Sequence, residues 1–96
     1  MNANNRKLAD HLYIIAHLAS LDHDGEYRAA AYNNAAQVIE KEEGEVTSKN
    51  ARSYKGIGPS ITKTIAEFEN TGTSTKYKTL ATKYPEEDAN LNRTGE

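Results

Sequence analysis

Apolar residues recur near the start of the chain at the three-to-four spacing of a helix: Leu8, Leu12, Ile15 and Ala19, with Ile14 and Leu18 widening the stripe. The pattern predicts one amphipathic helix from Asn5 to about Leu21. A turn follows at Asp22-His23-Asp24-Gly25, whose aspartates are placed to cap a second helix. That helix is expected over Tyr27 to Lys41, with Ala31, Ala35, Val38 and Ile39 on one face and alanines small enough for close packing. After Gly44, Thr47 or Ser48 is placed to cap a short helix reaching Tyr54. Pro59 stands where a first-turn proline is tolerated, because its missing N–H would have no intrahelical partner. A further helix through Ile61, Ile65 and Phe68 runs to about Asn70, with Gly72 placed to end it, and a fifth short helical piece is expected over Thr75 to Lys83. From Pro85 onward the chain is acidic and polar, with Leu91 its only large apolar residue. We therefore expect one domain over residues 1–84 and a disordered acidic tail over 85–96. No repeat and no strand pattern emerges, so the fold class predicted is all-α, a small domain of four to five helices.

Composition changes this picture mainly by exclusion. Ninety-six residues with 36% apolar content fit one modest core and are too few for a polymerase or a nucleotide-driven motor. Without cysteine there is no disulfide, thiolate zinc site or cysteine nucleophile, which suits a reducing interior. No run is long and apolar enough for a bilayer, and Met1-Asn2-Ala3-Asn4-Asn5 lacks a signal-peptide core, so an intracellular protein without membrane partners is expected. The net charge of −2 hides a strong asymmetry: residues 1–48 sum to −4, residues 49–83 to +5 and residues 84–96 to −3. A basic stretch inside an acidic chain implies a local anionic partner.

The basic stretch contains Tyr54-Lys55-Gly56-Ile57-Gly58-Pro59. Two glycines flanking one apolar residue between two short helices let the backbone take positive φ and leave the amides unshielded. The following helix N-terminus adds its own free amides, so the loop is suited to a phosphate oxygen, with Ile57 turned inward as an anchor. Lys49, Arg52, Lys55 and Lys63 add screened attraction to neighbouring phosphates, a contribution that depends on salt and not on base sequence. A plain tight turn between helices is the simpler reading of a lone Gly-x-Gly; the flanking helices and the local charge favour phosphate binding.

This hairpin, running on through Ser60-Ile61 to Thr64-Ile65-Ala66-Glu67-Phe68-Glu69-Asn70-Thr71-Gly72, lies downstream of Tyr27-Arg28-Ala29-Ala30-Ala31-Tyr32-Asn33-Asn34-Ala35-Ala36-Gln37-Val38-Ile39. In order and spacing these segments resemble the amino-terminal helix-hairpin-helix domain of the X-family DNA polymerases, of the DNA polymerase beta type, over roughly residues 4–82. The resemblance implies a domain of four helices that binds single-stranded or gapped DNA, recognises the 5′-phosphate of a gap, and in several members acts as a 5′-deoxyribose-phosphate lyase. It further implies DNA contacts at Lys55, Gly56, Ile57, Gly58, Ser60 and Lys63, a phosphate pocket at Arg28, Tyr32 and Arg52, and a potassium or sodium ion held by hairpin carbonyls near Gly56 and Gly58.

The chain departs from the family where the chemistry matters. The nucleophilic lysine of the lyase, which must form a Schiff base with the sugar aldehyde, aligns with Thr64, which has no amine. Lys63 is adjacent but turned by about 100° on a helix, which makes it a poor substitute. Ser60 replaces a usual lysine, Tyr27 a usual histidine, Lys55 a usual proline and Thr62 a usual alanine. The expectation is therefore a DNA-binding module acting in replication, repair or genome handling, with a polymerase or another replication or repair protein as its protein partner and no catalytic residue. The alternatives are a minimal abasic-site lyase using Lys63 or another lysine, and a protein-interaction adaptor docking through Ile57 and Tyr54. Tyr27 and Tyr32 are further candidates for stacking unpaired bases, Tyr32 the more so, whereas Tyr13 and Tyr54 read as half-buried residues. His11, His17 and His23, spaced by six, form no helical metal pair and read as surface or capping residues.

Overall fold

The computed structural model describes residues 2–93, and among these it contains five α-helices and no strand: α1 (Ala3–Ser20), α2 (Glu26–Lys41), α3 (Pro59–Thr71), α4 (Thr75–Lys83) and α5 (Pro85–Arg93), with a 3-10 turn at Ala51–Ser53 before α3. The protein is thus a small all-α domain, as its hydrophobic pattern predicts. None of the described helices is long and apolar enough to cross a membrane.

α1 starts earlier than its apolar stripe because Asn2 caps it, its side-chain oxygen accepting the Asn4 and Asn5 amides at 2.9 and 3.2 Å. Leu8, Leu12, Ile15, Leu18 and Ala19 bury one face of α1 against Tyr32, Ala35, Ala36 and Ile39 of α2. The corner between them is set by close approach: a Cβ on Gly25 would lie 1.8 Å from the Ala19 carbonyl oxygen. Gly25 itself is the N-cap of α2 and supplies no side-chain cap. The expected capping by Asp22 or Asp24 is not seen. The Asp22 carboxylate instead meets Lys83 Nζ at 2.7 Å and accepts the Tyr84 hydroxyl, so it ties the corner to the end of α4.

Between α2 and α3 the chain is held by side chains. Asn5 Nδ2 donates to the carbonyls of Glu42 and Gly44, at 3.1 and 2.8 Å, and its Oδ1 accepts the Val46 amide at 2.8 Å. Val46 and Ala51 thereby reach the core. The helix expected from Thr47 or Ser48 to Tyr54 shrinks to the 3-10 turn Ala51–Ser53, because Thr47 and Asn50 close a local turn through their own backbone and side-chain bonds. α3 begins at Pro59 and ends at Gly72, whose amide donates to the Phe68 carbonyl.

The segment expected to be disordered from residue 85 is helical to Arg93. Pro85 opens α5, and Glu86, Glu87 and Asp88 fill its first turn, where carboxylates complement the helix dipole. Tyr84 and Leu91 pack against the core, and the Tyr77 hydroxyl donates to Asp88 at 2.6 Å. A sparse apolar pattern thus suffices because α1 and α4 already supply a surface. Residues 94–96 of the expected tail lie outside the described residues.

Candidate nucleic-acid interface

The hairpin forms from the end of the 3-10 turn to the first turn of α3. Tyr54 leaves the turn extended, and its carbonyl accepts the Ile57 amide at 3.2 Å. Gly56 has φ +94°, with nothing within 4 Å of a Cβ built there, so backbone conformation alone calls for glycine. Gly58 differs: its φ of −96° and ψ of −174° are open to any residue, and the space around it is also empty. The expected positive φ is therefore found at Gly56 only. At Gly58 the missing side chain leaves the N-cap bare, which is a matter of access. Ile57 turns inward, 4% exposed, and anchors the loop.

Among the described residues, the amides of Gly56, Gly58, Ser60 and Ile61 donate to no acceptor. The last three belong to the N-cap and first turn of α3, where partial positive charge accumulates. Arg52, Lys55, Ser60 and Lys63 are all exposed along this stretch, as is Lys49. Of the loop carbonyls, that of Gly58 is committed twice, to the Thr62 amide at 3.0 Å and the Thr62 hydroxyl at 2.9 Å, while those of Gly56 and Ile57 accept nothing among the described residues.

Beside the hairpin, α3 and α4 border a cleft of about 270 Å³ lined by Ser60, Lys63 and Thr64 on one side and Thr75, Lys76 and Thr79 on the other, with Glu67 between. Glu67 accepts both the amide and the hydroxyl of Thr75, at 2.9 and 3.2 Å, which fixes the two helices together and holds its carboxyl below the usual range. Desolvation holds the Lys76 amine below its ordinary value, and the nearby Arg28 charge adds to the effect. Arg28 itself, exposed on α2, does not line the cleft. Sequence reasoning missed Lys76, because no periodicity or motif marks it; only the packing of α4 beside α3 does.

Tyr32 sits deeper than its reading as a stacking residue requires, and Thr64 is buried beside it. Tyr32 is 2% exposed and Thr64 4%, and their hydroxyl oxygens are 3.0 Å apart behind the cleft. The Tyr32 ring is therefore unavailable for stacking, which corrects that expectation. Its place on the buried face of α2 with Ala35, Ala36 and Ile39 is the reason. His11, read as a surface or capping residue, is also buried, 9% exposed between the rings of Phe68 and Tyr77, with Nε2 2.8 Å from the Ser74 hydroxyl. His17 and His23 are exposed, Tyr13 and Tyr54 half-buried, and the described residues contain no metal-binding cluster. A larger cavity of about 500 Å³ lies between α1 and α3 over Leu8, Val46 and Phe68. It does not touch the hairpin, and its rim carboxylates Glu45 and Glu69 are engaged by Asn4 and Ser48.

A glycine turn with positive φ, an inward aliphatic anchor and a proline-started helix with bare first-turn amides define a helix-hairpin-helix protein. The chain belongs to the helix-hairpin-helix domain family, whose model matches residues 3–74. Domains of this family generally bind DNA without reading its sequence. No curated protein and no solved structure matches the chain.

Proposed function

We propose that this chain is a DNA-binding module of the type found at the amino terminus of X-family DNA polymerases, holding the phosphates of single-stranded or gapped DNA during replication, repair or other genome handling inside the cell. The observation that carries the reading is the set of unpaired amides at Gly56, Gly58, Ser60 and Ile61, bordered by exposed Arg52, Lys55 and Lys63. Four N–H groups and a helix dipole favour an anion, and exposed lysines beside them favour a chain of anions. The α3–α4 cleft, lined by Lys63 and Lys76, suits a second phosphate such as the 5′ end at a gap. The carbonyl oxygens of Gly56 and Ile57 are hard donors suited to potassium or sodium, which would neutralise charge between loop and phosphate. A polymerase or another replication or repair protein would be the partner on the same DNA.

A second reading has one observation in its favour. Lys76 is a cleft-lining amine with a raised neutral fraction, able to attack the aldehyde of an abasic sugar, lose water to form an imine, and release the 3′-phosphate by β-elimination. Thr64 supplies no amine there, and Lys63 is exposed. Borohydride trapping on a 5′-deoxyribose-phosphate end decides between the two: a module that only binds gives no covalent adduct, whereas a lyase gives one that Lys76→Ala removes.

The binding reading is tested by fluorescence anisotropy with single-stranded, duplex and 5′-phosphorylated gapped DNA at two salt concentrations. Gly58→Asp places a carboxylate beside the bare amides without backbone strain and should abolish salt-sensitive binding, whereas Gly56→Ala measures the effect of strain alone. Tighter binding to the phosphorylated gap, lost in Lys76→Ala, would assign the cleft. A folded native protein that binds none of these at low salt would overturn the reading and favour a protein-interaction adaptor.

A further inference from the structure

α3 separates two surfaces of opposite sign. One is the cleft it forms with α4, where Lys63 and Lys76 stand against Glu67. The other is the cavity of about 500 Å³ it forms with α1, where Glu45 and Glu69 stand against Lys7. Glu67 and Glu69 are two positions apart, so about 200° of helical rotation divides them. The cavity shares no residue with the cleft or the hairpin. Its floor is apolar: Leu8 and Val46 are buried, and the half-buried Phe68 ring is steadied by His11 at 4.6 Å. The two rim carboxylates are held by neutral donors. Asn4 Nδ2 donates to Glu45 at 3.2 Å, and Ser48 donates both its amide and its hydroxyl to Glu69. Such donors fix the orientation of a carboxylate and leave its charge uncompensated. Among the described residues neither carboxylate forms an ion pair, and Lys7 forms none either. Glu42 and Glu43, in the segment that delivers Glu45, add charge of the same sign.

We infer that this cavity is a docking site for an arginine side chain of a protein partner, presented beside an aliphatic residue on an exposed basic segment. The rim selects a cation, and the floor selects a cation carried on an apolar stem. Arginine meets both conditions, because its planar guanidinium is weakly hydrated, lies flat against an aromatic ring and offers a fork of donors to a carboxylate. Lysine offers a more strongly hydrated point charge that does not stack in this way. A volume of about 500 Å³ falls within the range of about 300–1,000 Å³ that ligand pockets occupy, so the cavity has room for the arginine and its aliphatic neighbour. DNA is a poorer occupant, since its phosphates would meet four carboxylates with Lys7 alone in return. The inference goes beyond the DNA-binding reading and does not depend on it. Because cavity and hairpin have no residue in common, a partner and a DNA strand can be held at once.

The experiment follows the backbone amides of the full isotope-labelled chain by NMR during titration with acetyl-Leu-Arg amide and with the corresponding Lys and Glu peptides. The Arg peptide should shift the amides of Leu8, Val46, Phe68 and Asn70 saturably and leave those of the hairpin in place. It should bind more tightly than the Lys peptide, and the Glu peptide should not bind. Glu45→Gln should weaken the Arg peptide about two- to fivefold, the range of one exposed ion pair, and Lys7→Gln should strengthen it. No shift at about 10 mM Arg peptide, equal binding of the Glu peptide, or an unchanged affinity in both variants would overturn the inference. So would shifts at these amides on raising the protein concentration alone, which would make a second copy the occupant. Displacement of the peptide by oligothymidylate would assign the cavity to DNA and overturn it as well. A protein that binds no DNA still takes up the peptide, so this inference and the DNA-binding reading fail separately.

Discussion

Lowering the pH from about 6.5 toward 4 should cost the fold stability through one buried histidine of α1. His11 lies between Phe68 and Tyr77, with ring centroids 4.6 and 5.3 Å away, and bonds the Ser74 hydroxyl that caps α4. Burial alone pushes its pKa down from 6.5 to about 4, with no charged group contributing. The folded value lies below the unfolded one, so the unfolded chain takes up the proton first as pH falls. Stability is therefore complete above about pH 6.5 and is lost as pH drops toward 4. A shift from 6.5 to about 4 sets a ceiling of about 3.4 kcal/mol, and solvent at the open edge of the ring reduces this to about 2 kcal/mol. Urea unfolding at pH 7.5 and 4.5 of the native protein and His11→Gln isolates the effect, since Asp22 and Glu67, whose carboxyls are held low, titrate alike in both. The native protein should lose about 2 kcal/mol more than the variant between these pH values. Equal losses would mean that the imidazole is protonated in place without penalty, and the reasoning from its burial would be wrong.

Three other outcomes follow from the packing. Gly25→Ala forces the α1–α2 corner open against a backbone oxygen 1.8 Å from the new Cβ; it should cost about 3 kcal/mol in urea unfolding, and a cost near zero would show that the corner is pliable. Ile57→Ala removes the hairpin anchor, 4% exposed, and should cost about 2–5 kcal/mol, with amide exchange accelerated from Tyr54 to Ile61. Tyr32→Phe and Thr64→Val should each cost about 1 kcal/mol, and the double variant less than their sum, because the two hydroxyls bond one another at 3.0 Å; full additivity would refute that bond.

The helices were legible because their apolar periodicity is strong, and α4 matches its expected bounds from Thr75 to Lys83. Two of the misplaced residues were legible in the same way. His11 falls on the stripe of Leu8, Leu12 and Ile15, and Tyr32 on that of Ala35, Ala36 and Ile39, so helical position predicts burial for both where residue type suggested a surface role. Thr64 likewise lies between Ile61, Ile65 and Phe68. Asp22 was not legible: a local capping argument cannot anticipate a lysine and a tyrosine about sixty residues away. Nor was α5, whose one large apolar residue finds its surface only in the folded chain. The hairpin could be read from six residues, but the cleft could not, since Lys76 joins it through the placement of α4.

The amide of Asn5 spends its two N–H groups and its oxygen on three points of the strand-free segment between α2 and the hairpin. That segment has no helix of its own over residues 42–50, so its path is written into a residue 37 to 41 positions earlier in the sequence. An aspartate at position 5 would nearly preserve the shape while turning a negative oxygen toward two carbonyls. Time can make this substitution without any change in the gene, by hydrolysis of the amide. A preparation that ages in this way would shed order first in the acidic linker, and the hairpin downstream of it would lose its fixed bearing on α1 while each helix kept its own hydrogen bonds.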